Sequence, residues 1–254
     1  MAPSIHNTGV PLPKPPPNAH AVRAKPDISG VIFHVISAAV MVNGFKALLQ
    51  LGMTEWINTQ VGGHFQFLTI DGLWLTIVTC LLGGLGEMLP GVSILRTIKR
   101  AFLLIALPVE LTISTIYWGL ILLAPSLIVP DMASFNNDTS GPPSSSSDAP
   151  QLLRIPTWID VSIHGVPAIV LVIGKSYYIR YIKYRAPVST WGAIIISAIA
   201  GLAYSIWVEH CAAYNDRFPY PFLPADSFPA RIAIYAGATF FAYAAFKVIN
   251  GLHA

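Results

Sequence analysis

Charged residues are scarce in this chain, and their scarcity excludes most classes of soluble protein. Only 11% of the 254 residues are Asp, Glu, Lys or Arg, against roughly 25% in a typical soluble domain. Such a chain cannot cover a water-facing surface, whereas a hydrophobic fraction of 54% and a mean hydropathy of +0.60 fit a surface that faces lipid. The net charge of +3 is too small to indicate a nucleic-acid partner.

Cysteines and familiar catalytic signatures are also scarce. The two cysteines, Cys80 and Cys211, fall in or at the end of apolar runs, so we expect small packing residues rather than a disulfide or a metal site. The sequence has no glycine-rich phosphate loop, no H-E-x-x-H and no G-x-S-x-G motif. These absences exclude the common nucleotide-binding, zinc-protease and serine-hydrolase signatures, and no cofactor is expected.

The first 29 residues contain no apolar run of the signal-peptide type. Pro11, Pro13, Pro15, Pro16 and Pro17 instead predict an extended, disordered cytosolic tail. The first hydrophobic helix is then expected to remain as an uncleaved anchor of a membrane domain that covers residues 30–254. Such an anchor indicates entry through the endoplasmic reticulum, with an endomembrane or the plasma membrane as the final location.

Six apolar stretches follow the tail and predict an all-α, polytopic membrane bundle. A bilayer core of about 30 Å requires roughly 20 apolar residues per helix, and inside lipid each segment must satisfy its own backbone hydrogen bonds. The expected spans lie near residues 30–51, 67–88, 101–124, 158–174, 190–208 and 229–250. The fourth span is the weakest, because Asp160, His164 and Pro167 interrupt it.

The distribution of basic residues sets the expected orientation of the six spans. Most of the 15 lie in the N-terminal tail, in the loops that follow spans two and four, and at the C-terminal end. In a six-span chain these segments are all on one side, and the loops of the other side contain only Arg154 and Arg217. Because cytosolic loops are enriched in Lys and Arg, both termini are expected in the cytosol.

The long connection near residues 125–157 is therefore expected on the non-cytosolic side. Its centre, from Ser140 to Pro150, is rich in Ser, Pro and Gly and predicts a flexible linker. Asn137 begins an N-D-T sequon in this connection. It is thus a candidate glycosylation site on the side of the membrane where glycosylation occurs.

Polar side chains at membrane depth are the main candidates for chemistry, because burying them in lipid is costly. Thr69 lies about two residues into the second span and His164 about six residues into the fourth, roughly 3 Å and 9 Å from the same interface. A neutral imidazole at that level is able to take the proton of a hydroxyl, which is otherwise a poor nucleophile. Against this interpretation, a membrane-helix Thr usually bonds its own helix backbone, and a lone His usually bonds a neighbouring helix.

Five short motifs resemble, in order, segments of the androgen-induced-gene and androgen-dependent TFPI-regulating protein family. They are G-G-H-F-Q-F-L-T from Gly62, L-P-V from Leu107, W-I-D-V-S-I-H from Trp158, W-V-E-H from Trp207 and Y-P-F-L from Tyr220. The resemblance covers roughly residues 45–250. It implies a six-pass membrane protein in a family with threonine hydrolases that cleave fatty acid esters of hydroxy fatty acids.

The resemblance also implies roles for individual residues. Thr69 would be the nucleophile and His164 the general base, acting on a lipid ester taken from the membrane, and no metal is required. Asp160 lies four residues before His164 on the same helix face and, like His210, is a candidate to orient the base or stabilise the oxyanion. Glu110 is expected to pair with a basic side chain of another span, Arg231 or His210, or to hold helices together.

The sequence departs from the family pattern in the fourth span. Val161 stands where the family has the first His of an H-x-x-H segment. Gly165, Val166 and Pro167 follow His164 where animal members have a Thr-rich stretch. These differences leave the substrate open, and a kink at Pro167 is expected to reshape the pocket.

Two alternative functions remain open at the level of the sequence. The first is a haem-binding electron carrier that pairs His164 with His210, although six-pass proteins of this type usually need two such pairs. The second is a non-catalytic membrane or signalling protein, or a transporter. A transporter is disfavoured by the short length and by the lack of an evident repeat.

Overall fold

A computed structural model describes residues 25–129, 154–174 and 183–252, and these ranges are helical without any β-strand. The Pro-rich tail up to residue 24, the sequon at Asn137 and the Ser/Pro/Gly-rich segment lie outside the described residues. The helices are α1 (Ile28–Leu48), α2 (Met53–Asn58), α3 (Leu68–Met88), α4 (Ser93–Leu123), α5 (Thr157–His164), α6 (Val166–Ile173), α7 (Ala193–Asn215) and α8 (Phe228–Gly251).

Five helices in the described ranges are long and apolar enough to cross a bilayer. They are α1, α3, α4, α8, and α7 together with the π-helical turn Val188–Gly192 before it. An all-helical membrane protein with several spans is therefore confirmed.

The fourth predicted span is divided into two helices of eight residues each, α5 and α6. The division falls at Gly165, whose amide still donates to the Val161 carbonyl at 2.9 Å. Pro167 lies in the first turn of α6, where its missing amide costs no helical hydrogen bond. The irregularity expected at Pro167 is thus a helix break that begins two residues earlier.

Helices α1, α3, α4, α5 and α6 form the packed part of the molecule. Glycines allow close approach between them, because a Cβ on Gly44 would lie 2.6 Å from Ser162 and a Cβ on Gly83 would lie 2.6 Å from the His34 ring. Helices α1, α3 and α5 bury apolar side chains at their shared interface. These include Met41, Leu73, Ile77, Cys80 and Ile163.

Helices α7 and α8 pack on each other, and α8 also packs on α4. A polar cluster joins the pair: the Arg231 guanidinium donates to both carboxylate oxygens of Glu209, at 2.7 and 3.0 Å, and the Tyr235 hydroxyl donates to Glu209 at 2.9 Å. Arg231 also donates to the carbonyls of Pro224 and Ala225 in the preceding connection. This cluster fixes the start of α8 against the end of α7.

Candidate active site

Two glycines shape the turn that leads into α3. Gly62 and Gly63 both have positive φ, 87° and 48°, a backbone region that favours glycine. A Cβ on Gly62 would lie 2.7 Å from the Cys211 sulfur, so the turn also packs too closely against α7 for a side chain. The chain then forms the 3-10 turn Gly63–Gln66 and enters α3, with Thr69 in its first turn.

Two tyrosine hydroxyls hold the start of α3 in place. The Leu68 amide is shared between Tyr204, at 3.0 Å, and Tyr220, at 2.9 Å, while the Tyr204 hydroxyl donates to the Gln66 carbonyl at 3.1 Å. The first amides of a helix have no acceptor within the helix, so these hydroxyls satisfy a group that would otherwise be orphaned. The arrangement fixes the backbone directly before Thr69.

The turn before α3 is also bonded to α7. The Trp207 indole donates to the Phe65 carbonyl at 2.8 Å, and the Asn215 side chain exchanges two hydrogen bonds with the backbone of Val61, at 2.8 and 3.1 Å. The G-G-H-F-Q-F-L-T, W-V-E-H and Y-P-F-L motifs, which are far apart in sequence, therefore meet around Thr69.

His164 lies at the end of α5 with its ring held by two neighbours. Its Nδ1 is 2.8 Å from the Asp160 carboxylate, and the Tyr117 ring stacks on it with centroids 3.5 Å apart and planes 3° from parallel. The Tyr117 hydroxyl also hydrogen-bonds Asp160. His164 and Asp160 are both buried, at 5% and 8% exposure. A proton on Nδ1 that is donated to Asp160 leaves Nε2 of the neutral ring as an acceptor.

Thr69 and His164 line the same cavity, of about 540 Å³, at the end of the bundle where α1 and α4 end and α3 begins. We call it the first cavity. Thr69 itself is buried, with 8% exposure. The polar and aromatic side chains that line the first cavity with them include Trp56, Gln60, His64, Tyr117, Arg154, Asp160, Arg217 and Tyr220.

A second cavity, of about 940 Å³, lies between the α3–α4 pair and the α7–α8 pair. Its lining is mostly aliphatic and aromatic, and Asp71 is the only charged residue among the described residues that line it. Thr69, Tyr117 and Tyr220 line both cavities. The candidate nucleophile therefore lies where a cavity that contains charged side chains meets one that is lined almost entirely by apolar residues.

The sequence profile of the FAR-17a/AIG1-like protein family matches residues 29–254. The chain belongs to this family. The match confirms the family indicated by the five motifs. A UPF0641 membrane protein of Schizosaccharomyces pombe is 22% identical over 224 residues, which cover 87% of this chain and 89% of that protein. No solved structure matches the chain.

Two site residues of this FAR-17a/AIG1-like protein escaped sequence reasoning. His64 is 6% exposed, and its Nε2 has no hydrogen-bond partner within the described part of the chain. Burial lowers the pKa of His64, so the imidazole is neutral at pH 7. The sequence feature that could have indicated a role for His64 is its position inside the glycine-rich motif that begins at Gly62.

Tyr220 is the second site residue, known from the sequence only as the start of the Y-P-F-L motif. Burial raises the pKa of the Tyr220 hydroxyl, against the opposing effect of hydrogen bonds with Tyr204, the Leu68 amide and Thr69. The hydroxyl therefore stays protonated beside Thr69. Its place in the Y-P-F-L motif was the available signal, but a motif alone does not reveal a contact with α3.

The remaining predicted site residues of this FAR-17a/AIG1-like chain lie elsewhere. Glu110 is fully buried on α4 and accepts from the Thr76 hydroxyl of α3 at 3.3 Å. Of the alternatives predicted for Glu110, this contact fits the one in which it holds helices together, whereas Arg231 bonds Glu209 on α7. Glu110 instead connects two packed helices.

His210 lines neither of the two cavities. It is exposed on α7, where its ring contacts Trp207 at 5.8 Å and Tyr214 at 4.9 Å between centroids. His164, by contrast, is buried between Asp160 and Tyr117. The two histidines that the haem alternative required as a pair therefore have separate surroundings.

Proposed function

We propose that this protein is an integral membrane lipid-ester hydrolase that cleaves fatty acid esters of hydroxy fatty acids or similar lipids. The observation that carries the proposal is that Thr69 and His164, two buried side chains from different helices, line one cavity. The contact of Asp160 with the far nitrogen of His164 gives the imidazole the orientation and tautomer that a general base requires. Family membership supports the same reaction by resemblance.

The reaction is an acyl transfer in two steps. His164 Nε2 removes the proton from Thr69, whose oxygen attacks the ester carbonyl and forms a tetrahedral oxyanion. The C–O bond of the ester then breaks, and the hydroxy fatty acid leaves with the proton that His164 returns. Water, deprotonated by His164, hydrolyses the acyl-threonine, releases the fatty acid and regenerates the Thr69 hydroxyl.

Tyr220 is the side chain that we assign to the developing oxyanion. Its oxygen accepts from the Leu68 amide, and it lines both cavities beside Thr69, so in the reaction its proton would turn toward the new oxyanion. A preorganised donor in a water-poor site stabilises a developing negative charge more than one in water does. Asp160 in turn stabilises the imidazolium that forms in each step.

The proposed topology has six crossings with both termini in the cytosol. Helices α5 and α6 together rise about 25 Å at 1.5 Å per residue, so as one broken span they nearly cross a core of about 30 Å. The first cavity then opens toward the non-cytosolic side, and the substrate reaches it from the membrane. An endomembrane or the plasma membrane is the proposed location.

The test is hydrolysis of a fatty acid ester of a hydroxy fatty acid by purified protein in detergent, with the released fatty acid measured by mass spectrometry. Thr69→Ala and His164→Ala are each expected to lower kcat by at least about a hundredfold, because each removes a group that acts in both steps. Thr79→Ala is the matched control, since Thr79 is also buried on α3 but donates to the Leu75 carbonyl of its own helix.

The control variant is expected to keep wild-type activity within about twofold. Undiminished hydrolysis in Thr69→Ala would show that another group is the nucleophile. Absence of hydrolysis in the folded wild-type protein, across esters of different chain length, would overturn the proposed function.

A further inference from the structure

The two cavities that meet at Thr69 differ in charge. Arg154 and Arg217 line the first cavity, and no Lys or Arg lines the second among the described residues. The carboxylate in the first cavity, Asp160, is already bonded by His164 and Tyr117. The first cavity therefore combines two guanidinium groups with a carboxylate that is occupied by its own partners.

These two arginines are unusual in their position along the chain. They are the basic residues of the loops on the side of the bundle that is otherwise poor in Lys and Arg. They come from separate connections, one just before α5 and the other just after α7, yet both line the same cavity. Arg217 is oriented by the Trp56 ring, with its guanidinium carbon 5.0 Å from the ring centroid, and Trp56 lines the cavity as well.

Guanidinium groups that line a cavity are suitable ligands for a carboxylate. The planar fork of Arg binds carboxylates through two parallel hydrogen bonds, and such charge-assisted bonds are about twice as strong as neutral ones. An ester whose leaving half has a free carboxylate would place this anion in the first cavity. Its acyl chain would then fill the second cavity, where the lining is almost entirely apolar.

We propose that the two cavities divide the substrate at Thr69: the free carboxylate of the leaving acid binds Arg154 and Arg217, and the transferred acyl chain occupies the second cavity. This assignment rests on the proposed hydrolase function and makes it more specific. It assigns each half of the ester to one cavity, and among the similar lipids it restricts the substrates to those with a free carboxylate.

The test compares one ester with a free carboxylate and the same ester with that carboxylate methylated, with release of the acyl fatty acid as the readout. Wild-type protein is expected to prefer the free acid about tenfold or more in kcat/KM. The double variant Arg154→Gln, Arg217→Gln is expected to lose this preference by slowing the free acid. Hydrolysis of the methylated ester should stay within about twofold. Arg185→Gln is the matched control, since Arg185 is exposed and lines neither cavity.

A binding measurement separates this proposal from the proposed hydrolase function. Titration of the Thr69→Ala protein with the same two esters is expected to give tighter binding of the free acid, and the arginine double variant should abolish the difference. A preference that persists without both arginines would overturn the carboxylate assignment while hydrolysis stands. An arginine-dependent binding preference in a protein that hydrolyses neither ester would retain the assignment and overturn the hydrolase.

Discussion

Helix α3 of the packed part and the helices α7 and α8 differ in the fraction of their residues that is buried. Of the most apolar 18 residues of α3, 56% are buried, against 11% for α7 and 6% for α8. The packed part contains Thr69, Asp160, His164 and Tyr117, whereas α7 and α8 supply one wall of the second cavity.

We infer that the two parts of the bundle have different roles, one in positioning the reacting groups and the other in binding the acyl chain. A close-packed scaffold fixes reacting groups within the narrow limits that chemistry requires. A wall that makes fewer contacts is better suited to surround flexible acyl chains. The two parts are connected next to Thr69, whose position must be fixed precisely. The connection is made by the hydroxyls of Tyr204 and Tyr220, which accept from the Leu68 amide.

The largest effect is expected inside the packed part, at Asp160. Asp160→Asn keeps the shape of the side chain but removes the charge, and its amide favours the wrong His164 tautomer or a lost hydrogen bond. We expect kcat to fall by about a hundredfold or more with little change in KM. Steady-state kinetics with a lipid ester measures both constants, and an unchanged kcat would remove Asp160 from the mechanism.

A glycine pair on α3 tests the packing of the scaffold itself. Gly83→Leu places a side chain where a Cβ already lies 2.6 Å from His34, so overpacking is expected to destabilise the protein by about 1–3 kcal/mol. Gly86→Leu is the control on the same helix, because no atom lies within 4 Å of a Cβ built there. Thermal unfolding in detergent compares the two, and equal midpoints would contradict the close packing of α1 on α3.

A substitution in the α7–α8 wall is expected to alter selectivity rather than chemistry. Ala200→Phe fills part of the second cavity, so hydrolysis of long-chain esters should fall about tenfold relative to short-chain esters. Ala213→Phe, on an exposed face of the same helix outside both cavities, is the control. Competition between esters of different acyl length gives the ratio, and an unchanged ratio would mean that the chain binds elsewhere.

The smallest effect is expected at Tyr117, which supports the His164 ring from the side. Tyr117→Phe preserves the stacked ring but removes the hydroxyl that bonds Asp160. Loss of a hydrogen bond to a charged group predicts a decrease in kcat of about threefold to tenfold. A kcat of Tyr117→Phe equal to that of the wild type would contradict a role for the hydroxyl. Tyr117→Ala removes the stacked ring as well, so its kcat is expected to be lower than that of Tyr117→Phe.

Much of the helical architecture was predictable because its signal is local. Length and apolarity identify each long span without knowledge of its neighbours. The irregularity of the fourth span was also predictable from Pro167, but the break begins two residues earlier, at Gly165. The contact between Asp160 and His164 also follows from local spacing on one helix.

Contacts between helices were not predictable from the sequence, because they depend on which helices become neighbours in the fold. Glu110 bonds Thr76 instead of a basic residue, since the partner of a buried group depends on which helix faces it. His64 and Tyr220 join the site only through the folded arrangement of the turn before α3 and the connection after α7. The depth of Thr69 and His164 in the membrane was calculable from the sequence. To predict that they line one cavity, one must also know how each helix is rotated about its own axis, and the sequence does not give this rotation.

The most direct test of the central claim is to locate the covalent bond that the nucleophile forms. A fluorophosphonate lipid probe is added to the purified protein, and the adduct is mapped by peptide mass spectrometry. The adduct is expected on Thr69, lost in Thr69→Ala and strongly reduced in His164→Ala, with normal labelling in Thr79→Ala. Labelling of a different residue, or undiminished labelling of Thr69→Ala, would contradict the account.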